Sequence, residues 1–159
     1  MEKIAVFPGS FDPFTVGHEE IVKRGLKIFD RIIVAVGINA VKREFLDIDT
    51  RIAIIQKVFK GIERVRVESY SGLTVDYCNR IEAGFIIRGL RTAADFEYER
   101  AVGQINKAMD SSVETVFLLT SPEHTFISST IVRDIVMNGG DATKFLPTNI
   151  TTEDLICFQ

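Results

Sequence analysis

The sequence predicts an α/β protein in which a doubly wound parallel sheet of five strands carries helices on both faces. Three observations predict it. Short apolar, β-branched runs alternate with stretches of helical periodicity along the whole of the 159 residues, the pattern of successive strand–helix–strand units. Two of those runs, Ile4-Ala5-Val6-Phe7 and Ile32-Ile33-Val34-Ala35-Val36, are apolar at every position, as strands covered on both faces are. The segments that follow the strands hold Gly, Ser, Thr, Lys, Arg and His, and open α/β sheets bind ligands beyond the carboxyl ends of their strands. A hydrophobic fraction of 46% over this length can fill a core without staples, so residues 1–159 are expected to form one domain.

Taken in order, the first strand runs into Pro8-Gly9-Ser10-Phe11-Asp12-Pro13-Phe14-Thr15-Val16-Gly17-His18. Pro8, Gly9 and Pro13 punctuate a tight loop, and Thr15-x-Gly17-His18 places a hydroxyl, a bare backbone and an imidazole at the start of a helix. The first N–H groups of a helix have no internal acceptor and the dipole adds about half a positive charge, so this corner suits a phosphate. Two roles stand open for His18: donor to a bound anion, or cap of its own helix. The helix has Val22, Gly25, Leu26 and Phe29 on its apolar stripe, with Glu19, Glu20, Lys23 and Arg24 outside it. Arg31 to Gly37 forms the second strand, and the loop after it holds Lys42 and Arg43, on the sheet edge of the first loop if a helix makes the crossover.

Arg51 to Phe59 has Ile52, Ile55 and Phe59 at helical spacing, entered through Asp47 and Asp49, which suit a helix N-terminus. Val65 to Ser69 alternates Val65 and Val67 with Arg66 and Glu68, a strand with one exposed face near a sheet edge. Ser71-Gly72-Leu73-Thr74 turns into a helix through Val75, Cys78, Asn79 and Ala83. Phe85-Ile86-Ile87 is a fourth strand that runs into Arg88-Gly89-Leu90-Arg91-Thr92, where two guanidinium forks bracket a glycine that would let the backbone approach a ligand. The next helix places Tyr98, Ala101, Val102, Ile105 and Met109 on its apolar stripe and Asp95, Glu97 and Glu99 off it, so Glu99 is expected to be exposed. Thr115 to Leu119 is the fifth strand. Beyond it Ser128, Ser129 and Thr130 fall at the cap and first turn of a helix with Ile131, Val132, Ile135 and Val136 on its apolar face, a second N-terminus fit for an anion. Gly139-Gly140 stops that helix, and the tail carries a short one at Thr151 to Ile156.

A net charge of −3 argues against a nucleic-acid coat. Cys78 and Cys157 have no CxxC spacing, which supports neither a disulfide framework nor a zinc site and points to reduced thiols. No charged n-region precedes an apolar stretch and no apolar run is long enough for a bilayer, so a cytoplasmic protein with no membrane contact is expected. Gly-x-Gly-x-x-Gly after a strand, Gly-x-x-x-x-Gly-Lys-Ser/Thr and Gly-x-Ser-x-Gly are absent, against dinucleotide dehydrogenases, P-loop kinases and hydrolases with a nucleophile elbow.

Thr15-x-Gly17-His18 also resembles the (H/T)xGH signature of the nucleotidyltransferase superfamily. Together with Pro8-Gly9-Ser10-Phe11-Asp12-Pro13, Ile87-Arg88-Gly89-Leu90-Arg91, Asp95-Phe96-Glu97-Tyr98-Glu99 and Phe126-Ile127-Ser128-Ser129-Thr130, it makes the chain similar to the bacterial phosphopantetheine adenylyltransferases, in order, from the first strand to about Pro147. The resemblance implies a Rossmann-like fold, a homohexamer, and transfer of AMP from MgATP to 4′-phosphopantetheine, giving dephospho-coenzyme A and pyrophosphate in coenzyme A synthesis. By position it implies that Ser10, Lys42, Thr74 and Arg88 contact phosphopantetheine, and that Ser10, Phe11 and His18 meet ATP, His18 at its α-phosphate. Gly89, Leu90, Arg91 and Glu99, with His124, Thr125, Phe126, Ile127, Ser128, Ser129 and Thr130, would hold the rest of the nucleotide. His18, Lys42 and Arg91 would form the catalytic set. Mg²⁺ would ride in on the triphosphate rather than on a cage of side chains, and dephospho-coenzyme A and coenzyme A would be further ligands, as product or feedback inhibitor. Ser10 stands where Thr is common in the family and His124 where many members carry Trp. Two other readings remain: adenylyl transfer to another acceptor such as nicotinamide mononucleotide, and a nucleotide-binding module without catalysis.

Overall fold

The apolar runs pair side by side as strands. The computed structural model describes residues 2–38 and 43–157, and its strands are β1 (Ile4–Gly9), β2 (Arg31–Gly37), β3 (Val65–Tyr70), β4 (Phe85–Leu90) and β5 (Glu114–Leu119). Between and after them lie the helices α1 (Val16–Gly25), α2 (Ile48–Val58), α3 (Thr74–Arg80), α4 (Ala93–Met109), α5 (Ser129–Met137) and α6 (Thr152–Ile156). Every pairing is parallel, in the order β3-β2-β1-β4-β5. This is the five-stranded, doubly wound, Rossmann-like sheet that the alternation and the resemblance lead one to expect.

Alternation along the strands sorts side chains to two faces. Ala5, Phe7, Ile32, Val34 and Ile87 face one side, where Ile21 and Val22 of α1 and Ile55 of α2 close over them. Val6, Ile33, Ala35 and Ile86 face the other, against Val75 and Cys78 of α3. A third cluster ties α2 and α5 to the tail through Ile54, Val132, Val136, Ile150 and Leu155. The chain winds outward from β1 to β2 and β3, then returns to β4 on the far side of β1. The connections after β1 and β4 therefore leave in opposite directions and open a crevice beyond the carboxyl ends of those two strands. β3 lies at the sheet edge, as its alternation predicts.

Three expectations are corrected. The first helix ends at Gly25 with Leu26 as its C-cap, short of Phe29. A Cβ on Gly25 would lie 2.7 Å from Ile32 Cδ1, so the glycine lets the helix end settle onto β2. Glu19, placed outside by its stripe position, is 6% exposed, and its ion pair with Lys23 at 2.5 Å offsets the loss of water.

The largest difference concerns α4. Tyr98, Ile105 and Met109 are 70%, 60% and 50% exposed, while Glu99 is the residue turned inward, with its side chain only 12% exposed. Gly103 explains the inversion, because a Cβ there would lie 3.4 Å from the Phe117 ring and 3.5 Å from Thr115. The helix approaches β5 on its glycine, which carries Glu99, one turn earlier, over β4 to Arg88. Periodicity identifies residues that share a stripe; what covers the stripe is a property of the packing.

Ile55 is fully buried between α2 and the sheet. Ile55→Ala should lower stability by about 2–4 kcal/mol, read as a lower urea midpoint at unchanged slope; a midpoint that stays put would place the core elsewhere.

Candidate active site

The loop from β1 to α1 has its carbonyl groups taken by guanidinium donors from three other elements. Arg88 of β4 donates to Pro8 O at 2.7 Å, Arg51 of α2 to Ser10 O at 2.9 Å, and Arg133 of α5 to Asp12 O at 2.8 Å. Ser129 Oγ donates to Pro13 O at 2.8 Å. The buried Asp12 carboxylate accepts the backbone N–H groups of Phe45 and Leu46, each at 2.8 Å. Within the loop Phe11 takes φ of 50°, the left-handed region that non-glycine residues seldom enter. Its ring folds onto Gly9, where any Cβ would come within 2.8 Å of it.

Thr15 is the N-cap of α1 and forms a capping box with His18. The imidazole Nδ1 accepts the Thr15 N–H at 3.0 Å, which requires an unprotonated Nδ1 and leaves the ring proton of the neutral form on Nε2. Phe11 and Phe14 hold the ring, with centroids 5.1 and 5.3 Å away. Burial, with the positive charges of Arg91 and Arg88 nearby, pushes the His18 pKa down from 6.5 to about 3. The two roles left open by the sequence therefore belong to opposite edges of one ring: Nδ1 caps the helix and Nε2–H is a donor.

A cavity of about 340 Å³ lies over this corner. Ser10, Phe11 and His18 line it from the first loop and α1; Arg88, Gly89, Arg91 and Glu99 from β4 and α4; His124, Ile127, Ser128, Ser129 and Thr130 from the approach to α5. Arg88 grips Glu99 with both arms, at 2.7 and 2.5 Å. Arg91 pairs with Asp95 at 3.1 Å and donates to Ile127 O at 3.2 Å, which joins the starts of α4 and α5. A second cavity of about 330 Å³ adjoins the first, sharing Pro8, Gly9, Ser10, Arg88 and Glu99 with it and adding Tyr70, Thr74, Tyr98 and Asn106.

Of the site residues read from the sequence, Leu90, Thr125 and Phe126 line neither cavity. Leu90 is buried, and Phe126 is 62% exposed with its ring against Phe145. Lys42 lies outside the described residues. Arg88 and Gly89 belong to the strand rather than to a loop after it. Gly89 also has a second reason to be glycine, since a Cβ there would stand 3.1 Å from Ile21 Cγ1. The Ser128 hydroxyl is spent on its own helix, accepting Ile131 N–H at 3.2 Å. What the first turn of α5 offers an anion is thus its unpaired backbone N–H groups. Sequence reasoning missed Arg51, Arg133 and Glu20, whose partners are far away in the chain and leave no local signal.

A family model described as cytidylyltransferase-like matches residues 6–135. A phosphopantetheine adenylyltransferase from Flavobacterium psychrophilum is 49% identical over 143 residues, 90% of this chain and 94% of the relative. One from Caldanaerobacter subterraneus subsp. tengcongensis is 44% identical over 154 residues, 97% of this chain and 96% of its own. The chain belongs to the phosphopantetheine adenylyltransferase family. It also shares its fold with a solved Vibrio parahaemolyticus structure assigned as a nicotinate-nucleotide adenylyltransferase, at TM-score 0.74 and 23% identity over 98% of this chain and 99% of that one. A bifunctional NMN adenylyltransferase/ADP ribose pyrophosphatase from Francisella tularensis matches at TM-score 0.74 and 15% identity, over 99% of this chain and 49% of that one. At these identities the likeness concerns the fold alone.

In this member of the phosphopantetheine adenylyltransferase family the depressed His18 pKa ties stability to pH. Between about pH 6.5 and 3 the unfolded chain binds a proton at this imidazole that the folded chain does not, so stability falls as pH drops through that window. The His18 proton resonances should stay fixed from about pH 8 down to about pH 5, against an ordinary imidazole midpoint near 6.5. A midpoint near the ordinary value would show that the ring is not held as described.

Proposed function

We propose that this chain transfers the adenylyl group of MgATP to 4′-phosphopantetheine, giving dephospho-coenzyme A and pyrophosphate in coenzyme A biosynthesis. One observation carries the reading beyond family membership: two adjoining cavities share Ser10 and the Arg88–Glu99 pair, so two phosphate-bearing substrates can meet at one guanidinium. The first would take ATP and the second the pantetheine arm, with Thr74 on its wall. Residues 1–159 are proposed to act as one nucleotidyltransferase domain.

The acceptor phosphate supplies its own nucleophile. With a second pKa of about 6 it is largely dianionic at neutral pH, so no side chain needs to remove a proton. Its oxygen attacks the α-phosphorus in line as the bond to the pyrophosphate oxygen breaks, and the protein contributes position and charge. Neutral His18 serves as a donor: Nε2–H meets the charge that grows on the α-phosphoryl oxygens, an interaction stronger in the transition state than before it. Arg88, Arg91 and Lys42 offset the charge of the two polyanions, and the first N–H groups of α1 and α5 add to that field. Transfer is proposed to be direct, since among the described residues no cysteine or lysine lines either cavity. Mg²⁺ is proposed to bind mainly through the triphosphate. Asp12, Asp95 and Glu99 at the first cavity are already engaged by Phe45 and Leu46, by Arg91 and by Arg88, which supports that assignment.

Among the described residues no helix is long and apolar enough to cross a membrane, and a cytoplasmic location is proposed from the metabolic role. The exposed stripe of Tyr98, Ile105 and Met109 on α4 supports the homohexamer, because association would remove that apolar surface from water. Feedback by coenzyme A at the second cavity belongs to the same proposal.

Pyrophosphate release from ATP should require phosphopantetheine and should not occur with nicotinamide mononucleotide in its place; release with neither acceptor would return the chain to a binding module. His18→Gln can complete the capping box through its amide oxygen, which holds its amide N–H away from the position of the imidazole Nε2–H, so turnover should fall by about 10²–10³ with little change in melting. His18→Ala loses the cap as well and should also lower stability by about 1 kcal/mol. Normal turnover in the folded Ala variant would defeat the donor role. Arg88→Lys keeps the charge but loses the two-armed grip, and should weaken phosphopantetheine by at least about 10-fold; unchanged acceptor affinity would move that site elsewhere.

A further inference from the structure

The first cavity has two ends of different chemistry. His18, Arg91, Ser129 and Thr130 lie toward the helix N-termini, where phosphates belong. Ile21, Gly89 and Ile127 give the cavity apolar lining suited to the faces of a base, and His124 lines the same cavity, its Cβ 3.9 Å from where a Cβ on Gly17 would lie.

His124 is not free to choose its protonation pattern. Its Nδ1 lies 2.6 Å from Glu20 Oε2, and the same carboxylate receives Arg24 Nη1 at 3.0 Å and the Ser121 hydroxyl. Those donors hold the Glu20 pKa down at about 2 despite its partial burial. An ionised carboxylate accepts and never donates, so His124 must place a proton on Nδ1. In the neutral ring Nε2 is then left with a lone pair. A carboxylate on α1 thus makes an acceptor of the far edge of a ring that lines the cavity.

We propose that His124, oriented by Glu20, reads the six-position of the purine and selects a 6-amino base over a 6-oxo base. Adenine presents its N6 amino group there as a donor, whereas hypoxanthine and guanine present an oxygen. An oxygen facing the Nε2 lone pair leaves two acceptors opposed and both unsatisfied, which a buried site penalises more than the loss of one neutral hydrogen bond. Glu20 is a positioning residue in this scheme and does not touch the nucleotide. The proposal rests on the reading that the first cavity takes ATP, and departs from it by assigning base choice to this pair.

The test is calorimetric binding of ATP and of ITP at about pH 8.5, above the ordinary imidazole range, with thermal melts to establish folding. The wild-type chain should bind ATP about 10-fold or more tighter than ITP. His124→Ala should bring the two within about 3-fold, by weakening ATP and relieving the penalty on ITP, and His124→Phe, which keeps the ring but removes both nitrogens, should do the same. Glu20→Gln should narrow the ratio too, since a carboxamide can pair with either tautomer. A merely structural role for the pair would weaken both nucleotides in parallel and leave the ratio intact. A ratio unchanged in a folded His124 variant, or a wild-type chain that binds both equally, overturns the proposal while leaving ATP binding standing. A wild-type chain that binds neither nucleotide overturns the ATP reading and this one together.

Discussion

The carbonyl oxygens of the first loop are held from outside, and the rest of the site depends on it. Pro8, Ser10 and Asp12 each give a carbonyl to an arginine from a different element, Arg88, Arg51 and Arg133, so β4, α2 and α5 meet at one stretch of chain. With those acceptors already paired, the loop can present hydroxyls and N–H groups to a ligand. A phosphate site needs that polarity, because a carbonyl pointed at a phosphate oxygen repels it. Arg51 shows the cost of the arrangement. It is almost fully buried and would be destabilising without Glu44 and the carbonyls of Ser10 and Asp47 to satisfy it.

Arg88 serves twice. Its guanidinium holds the Pro8 carbonyl and Glu99 at once and also forms the wall common to both cavities. A group that lines both cavities and braces the loop beneath them ties the position of one to the other. His18 shows the same economy on one ring, where the nitrogen that caps α1 fixes the tautomer of the nitrogen that faces the cavity.

Two of the acids that sequence periodicity placed off the apolar stripes, Glu20 and Glu99, turn toward the site. Glu20 is held there by Arg24 and the Ser121 hydroxyl and Glu99 by Arg88, and each hands a direction to a neighbouring cation or imidazole. Helical stripes separate apolar from polar positions, but they carry no information about a carboxylate whose partner is on another element. The partners of Glu20 are 101 and 104 residues away at Ser121 and His124, a separation that only the returning crossover to β4 and β5 can close.

By itself the sequence determined the strand–helix alternation, the edge character of β3, the capped entries to α1 and α5, and the grouping of Ser10, His18, Arg88 and Arg91 toward the carboxyl ends of the strands. Those features are local: apolar runs, alternation, a hydroxyl before a helix, a glycine between arginines. The strand order that opens the crevice at β1 and β4, the outward stripe of α4, the clamp on the first loop and the Glu20–His124 pair were decided only by tertiary structure. Gly103 against Phe117 turned α4, and Gly25 and Gly89 set α1 onto the sheet; in each case an absent side chain acquires its meaning from the residue it makes room for.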